Sequence, residues 1–177
     1  MENQKDRKPT LCGSRSFLKN RAFITLVCAF IIYVIWQASQ LVLVIAPEGD
    51  KKPIVIESHK GDKWYISLTH SVEKTKWEEF FTINGVADMT MTHTKFESLG
   101  WGYPYSSTDG TFSCTNDGKF QMVMNRHYKE VPLRVSEQAM QQIIHENAQY
   151  NLVELYGQGS AVTVRIMRRY HYWFDLL

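Results

Sequence analysis

The sequence predicts a mostly β protein: an N-terminal transmembrane helix followed by an antiparallel β-sandwich or small β-barrel. Three observations carry this. Residues 22 to 36 form an uncharged apolar run, AFITLVCAFIIYVIW. Beyond residue 40 the apolar residues alternate with a period of two, the spacing of a half-buried strand. Gly, Pro, Asn and Asp then break that pattern at short intervals, which many short strands require. The 177 residues, 44% apolar and 21% charged, have an ordinary globular composition, not that of a disordered, collagen-like or disulfide-dense chain. A net charge of only +2 argues against a nucleic-acid partner, which would need a concentrated basic surface.

Residues 1–21 carry six basic residues against two acidic ones and read as a cytoplasmic basic segment under the positive-inside rule. A span needs about 20 mainly apolar residues, with a lower limit near 17. Residues 22–39 meet that limit as a signal anchor, with Phe23 and Phe30 in the apolar run and Tyr33 and Trp36 suited to the far interface. A cleaved leader is the competing reading, but Trp36-Gln37-Ala38-Ser39-Gln40 lacks a small-x-small cleavage pattern. The protein is thus expected in the inner (cytoplasmic) membrane as a single pass, N-terminus in the cytoplasm and residues 40–167 outside as a β-domain. Cys12, Cys28 and Cys114 would then lie in three different environments, so no internal disulfide is expected. Without a C-x-x-C pair, neither metal nor cofactor is expected.

Within the outer domain, Leu41–Ala46 is a strand ended by Pro47-Glu48-Gly49-Asp50, and Ile54–Glu57 is the next. Gly61-Asp62 turns into Trp64–His70. Trp77–Ile83 follows, then Asn84-Gly85 as a two-residue hairpin signal, then Asp88–Phe96. Residues 100–110 read as a long loop. Thr111–Cys114, Lys119–Asn125 and Leu133–Val135 are short strands, with a turn at Asn116-Asp117-Gly118. Ser136–Asn147 suits either a helix capped by Ser136 or a strand begun by Ile143-Ile144. Asn151–Tyr156 and Ala161–Met167 close the domain around Gly157 and Gly159. The aromatic and basic tail, 168–177, is either an exposed interfacial or docking patch or a final strand.

Alternation places Trp64, Ile66, Leu68 and His70 on one strand face, and Trp77, Glu79, Phe81 and Ile83 on another. With His70 opposite Trp77, Leu68 faces Glu79 and His70 lies diagonal to that carboxylate. A carboxylate so placed needs a partner. The pair reads either as a structural bond pinning the hairpin or as a ligand or docking site with Glu73 and Glu78 on its rim. Ser71 beside His70 is badly aimed for proton transfer, because neighbours on a strand point to opposite faces. No nucleophile-elbow, zinc-protease or phosphate-loop pattern occurs, so no catalytic residues and no enzyme are expected. Asn125 and Arg126 end a strand and offer an amide and a guanidinium to a carboxylate.

Four segments together carry a resemblance: His70-Ser71-Val72-Glu73-Lys74-Thr75, Trp77-Glu78-Glu79-Phe80, Phe96-Glu97-Ser98-Leu99-Gly100-Trp101-Gly102-Tyr103-Pro104 and Met124-Asn125-Arg126. They resemble a bacterial family of domains of unknown function whose members show an HSVxxTPxEE run, an FxSxGAGxP run and an LNR-like strand end. The resemblance spans roughly residues 41–167. Lys76 stands where the family usually has Pro, and Trp101 where a small residue is usual. Members are commonly encoded beside, or linked to, TAXI-class TRAP transporters. The resemblance therefore implies a non-enzymatic accessory of such an organic-acid importer, partnered by its permease subunit or its solute-binding protein. A stand-alone membrane-anchored sensor or ligand-binding domain is the alternative. Its matched positions, His70, Ser71, Glu73, Thr75, Glu78, Glu79, Gly100, Gly102, Pro104, Asn125 and Arg126, are the candidate ligand- or partner-binding residues.

Overall fold

A computed structural model of the chain describes residues 14–99, 108 and 110–175. It divides into two compact units, residues 1–38 and 39–177. The first unit holds most of helix α1 (Ser14–Ser39). Between Phe23 and Trp36, eleven large apolar side chains are 39–69% exposed, and they point in every direction around the helix. Among the described residues no helix is long and apolar enough to cross a membrane.

The second unit is built from antiparallel strands in two open sheets, so the barrel alternative is not what forms. The small sheet has the order β2 (Ile54–Ser58), β1 (Leu41–Pro47), β11 (Ala161–Arg168), β8 (Glu130–Arg134). The large one has the order β10 (Ala148–Asn151), β9 (Gln142–His145), β3 (Lys63–Thr69), β4 (Lys76–Gly85), β5 (Asp88–Phe96), β7 (Phe120–Tyr128), β6 (Thr111–Cys114). Leu43, Ile45, Val131, Val164 and Ile166 of the small sheet share one core with Trp64, Ile66, Phe81, Ile83, Met89 and Met122 of the large sheet. Alternation explains this membership, since register partners face the same side. Leu43 pairs with Ile166 and Ile45 with Val164, and both pairs point inward.

Strand β1 breaks the alternating pattern because it is buried on both faces. Val42 and Val44, on the outer side, pack with Met167 and with Tyr172 of helix α3 (Arg169–Asp175). That is why LVLVIA reads as a continuous apolar run. Residues 169–175 of the tail are therefore a helix and not a final strand.

Three further sequence expectations change. The β4–β5 turn lies at Val86-Ala87, with Gly85 paired to Asp88, two residues beyond the Asn84-Gly85 signal. Asn84 instead sits at a register break, and its amide donates to Asp88 Oδ1 (3.0 Å) and Thr90 Oγ1 (2.7 Å). Ala87 takes φ 47° in the turn. A side chain in that left-handed region costs about 1–2 kcal/mol. Ala87→Gly is expected to raise stability by up to about 1 kcal/mol, measured by thermal unfolding.

Ser136–Asn147 is a turn at 137–140 followed by β9, not a helix. Gln141 fixes the turn: its Oε1 accepts from Ser136 N (2.9 Å) and its Nε2 donates to the Arg134 carbonyl (3.0 Å). Ile143, Ile144 and His145 are then all buried in the sheet. Finally, Asn151 caps a short helix α2 (Leu152–Tyr156), its Oδ1 accepting from Val153 N and Glu154 N. Tyr156 of that helix donates its hydroxyl to the Ile45 carbonyl (3.2 Å) inside the core.

Candidate functional site

The β3–β4 hairpin holds most of the candidate residues. Leu68 pairs with Trp77 and Ile66 with Glu79, a register two residues away from the expected one. Pairing stops at Thr69–Lys76, and His70 to Thr75 form a closed loop. His70 N donates to the Thr75 carbonyl and Lys74 N to the His70 carbonyl, with Lys74 at φ 57°. The six-residue loop thus runs from His70 to Thr75 instead of from Ser71 to Lys76, which moves the register. His70 therefore lies beyond the strand, stacked on Trp77 with ring centroids 5.8 Å apart. Its Nδ1 accepts from Glu73 N (3.2 Å), so one ring nitrogen serves the loop itself. Ser71 is exposed in the same loop, and Glu73 and Thr75 are partly buried there.

Glu79 does face inward, as the alternation requires. It stands between Ile66 on β3 and Thr94 on β5, with Trp77 and Phe81 on either side along β4. Burial pushes its carboxyl above the ordinary glutamate range, and no charge or hydrogen bond among the described residues offsets the lost solvation. Thr94 is 2% exposed, and its Oγ1 has no hydrogen-bond partner among the described residues. A carboxyl and a hydroxyl thus sit side by side on an apolar, partly covered sheet face.

The pH consequence has a definite sign. The folded state holds the Glu79 proton more tightly than the unfolded chain does. Stability from this group is therefore greatest below the ordinary glutamate range. It falls as pH rises through the folded-state value and is flat above it. Glu79→Gln is expected to raise the melting temperature at pH 8 and to flatten that decline. A variant less stable than wild type at pH 8 would show that the carboxylate is compensated.

Glu78 points to the opposite face and binds Lys76 at 2.6 Å, which raises the lysine pKa. Lys76, where the resembled family usually has Pro, lines an outer cleft of about 320 Å3 with Tyr65, Ser67, Gln142 and Gln149. On the same face Tyr65 stacks on Phe80 (4.9 Å), and Phe80 on His93 (4.2 Å). Burial, Lys95 and Lys63 together lower the His93 pKa.

Asn125 and Arg126 are exposed on β7. Arg126 pairs with Met91, in the row of Phe81 and Trp64, whereas His70 follows the far end of β3. Six residues along β3 separate the two rows, about 20 Å at the usual strand rise. His70, Glu79 and Arg126 are not brought together as one carboxylate site. Gly100, Gly102 and Pro104 lie outside the described residues.

A second constellation is spread too widely along the chain for sequence reading to find. Ser58 Oγ lies 3.4 Å from His145 Nε2, and Asp62 Oδ2 lies 3.9 Å from that same nitrogen. Nucleophilic relay needs the serine on one ring nitrogen and the carboxylate on the other. Both partners here crowd one nitrogen, and Ser58 is 1% exposed. The geometry joins the edge of the small sheet to β9 and does not activate a serine. His145→Leu is expected to cost about 1–3 kcal/mol, because Ser58 loses a buried partner; urea unfolding measures it.

Most of the candidate positions, though not Ser58 and Asp62, fall within a matched domain. Residues 65–152 match the family described as a domain of unknown function, DUF1850. The DUF1850 match runs from the third residue of β3 to the first of α2, so it takes in nearly all of the large sheet and β8. It leaves out β1, β2 and β11, and is narrower than the 41–167 expected. No curated protein and no solved structure matches the chain.

Proposed function

We propose that this protein is a non-enzymatic, membrane-anchored accessory of a TAXI-type TRAP transporter, with its β-domain outside the cytoplasmic membrane. The observation that carries the anchoring is α1: eleven large apolar side chains stand in solvent around the whole helix. A helix apolar on all sides is stable only inside a protein core or a bilayer. Nothing in the first unit supplies such a core, since α1 is its one described element. Six basic residues precede the apolar run, which favours a cytoplasmic amino end. The transporter assignment draws on the family resemblance, and the DUF1850 match to the large sheet supports the family part of it.

Solubilisation in mild detergent followed by affinity purification is expected to recover a permease subunit or a solute-binding protein. Recovery of neither removes the transporter assignment. A periplasmic reporter fused after Leu177 is expected to be active, and activity only from a cytosolic reporter removes the topology.

Glu79 favours a second reading, a ligand-binding or sensor domain. Its carboxyl faces the unpartnered Thr94 hydroxyl, and no cation among the described residues offsets its desolvation. That sheet face would therefore suit a ligand that donates hydrogen bonds better than a dicarboxylate. Calorimetry with an alkylammonium and with succinate separates the two chemistries.

A further inference from the structure

We infer that helix α3 is a second membrane contact, an aromatic foot that rests in the headgroup layer of the bilayer that α1 enters. This rests on the anchoring reading above. Tyr172 turns inward onto Val42, Val44 and Met167, which fixes the helix to the outer face of the small sheet. The opposite side presents Tyr170, Trp173 and Phe174, which are 37%, 44% and 70% exposed. An outward cluster of three aromatic rings on one short helix is costly in water. Trp and Tyr, amphipathic rings, are the residue types that settle at a membrane interface.

Position decides for lipid over a protein partner. Leu41, two residues past the end of α1, is the register partner of Arg168, the residue before α3. Adjacent strands lie about 5 Å apart, so α3 starts almost where the chain leaves the anchor. Two bonds hold it there: Arg168 donates to the Ser39 carbonyl and Arg169 N to the Gln40 carbonyl (2.9 Å). Arg169 also pairs with Glu57 of β2. Seven residues of helix extend about 10 Å, comparable with the depth of one interfacial layer. A side chain projecting that close to the junction is within reach of the headgroup layer.

The test uses the full chain reconstituted in vesicles of equal parts phosphatidylcholine and phosphatidylglycerol, with and without dibrominated acyl chains. The fluorescence removed by Trp173→Phe reports α3, and that removed by Trp36→Phe reports α1. Bromolipid is expected to quench the Trp173 component by about twofold and to shield it from aqueous acrylamide. Quenching of the Trp36 component with an unquenched, acrylamide-accessible Trp173 component would overturn the inference and leave the anchor standing. Quenching of neither would overturn both. Trp173→Phe retains an aromatic ring at an exposed position, so its fold is expected to survive, and unchanged near-UV circular dichroism checks this.

Discussion

Replacing Phe30 and Ile31 together by arginine is expected to drive the protein out of the membrane fraction. Both side chains lie in the middle of the apolar run and are 67% and 50% exposed, so neither supports a protein core. Each arginine near the centre of a span costs about 2.5–3.5 kcal/mol on insertion scales. The pair therefore costs roughly 5–7 kcal/mol, a large share of what holds a single helix in a bilayer. Carbonate-washed membranes should retain the wild type and lose the double variant, while Phe30→Leu with Ile31→Leu should behave as wild type. If the wild type itself washes off, α1 is covered by protein rather than lipid, and the bilayer argument for α3 goes with it.

Much of this architecture was legible because it is local. Alternation located β2 to β7 to within a few residues, and the inward side of Glu79 followed from parity alone. The errors arose where a backbone angle or a distant contact decides. Lys74 and Ala87 occupy the left-handed region although neither is glycine, so the sequence placed one hairpin register and one turn two residues away. Parity survived both errors, since a shift of two preserves the face of every side chain. Strand β1 was read as a strand, but not its burial on both faces, because Val42 and Val44 are covered from outside by a helix more than 120 residues later in the chain. The Ser58, His145 and Asp62 cluster had no sequence signal, since 87 residues separate the serine from the histidine. Glu79 is inside, but His70 and Arg126 belong to different rows of the sheet, and only register information separates them.

Trp64→Ala is expected to cost about 3–5 kcal/mol, the usual range for removing a large buried aromatic side chain. Trp64 is 1% exposed and stacks on its register partner Phe81, ring centroids 4.4 Å apart and planes 12° from parallel. His145 is its register partner on the other side, so the indole links three strands of the large sheet. For a unit of this size the melting temperature should fall by roughly 10 °C or more, followed by near-UV circular dichroism in detergent. Trp64→Phe keeps a ring against Phe81 and deletes an indole N–H that has no hydrogen-bond partner among the described residues. Losing an unpaired donor offsets part of the lost area, so this variant should stay within about 1 kcal/mol of wild type. Position adds a second readout. Trp64 lies diagonal to Glu79 across β3 and β4, within the reach at which a large ring can shield that carboxyl from water. A cavity there would hydrate Glu79 and bring its pKa down toward the ordinary range. Trp64→Ala should therefore lose stability and also show a weaker pH dependence above the glutamate range, whereas Trp64→Phe should keep both. A Trp64→Ala protein that lost stability but kept the full pH dependence would mean that Glu79 is desolvated by something other than this packed face.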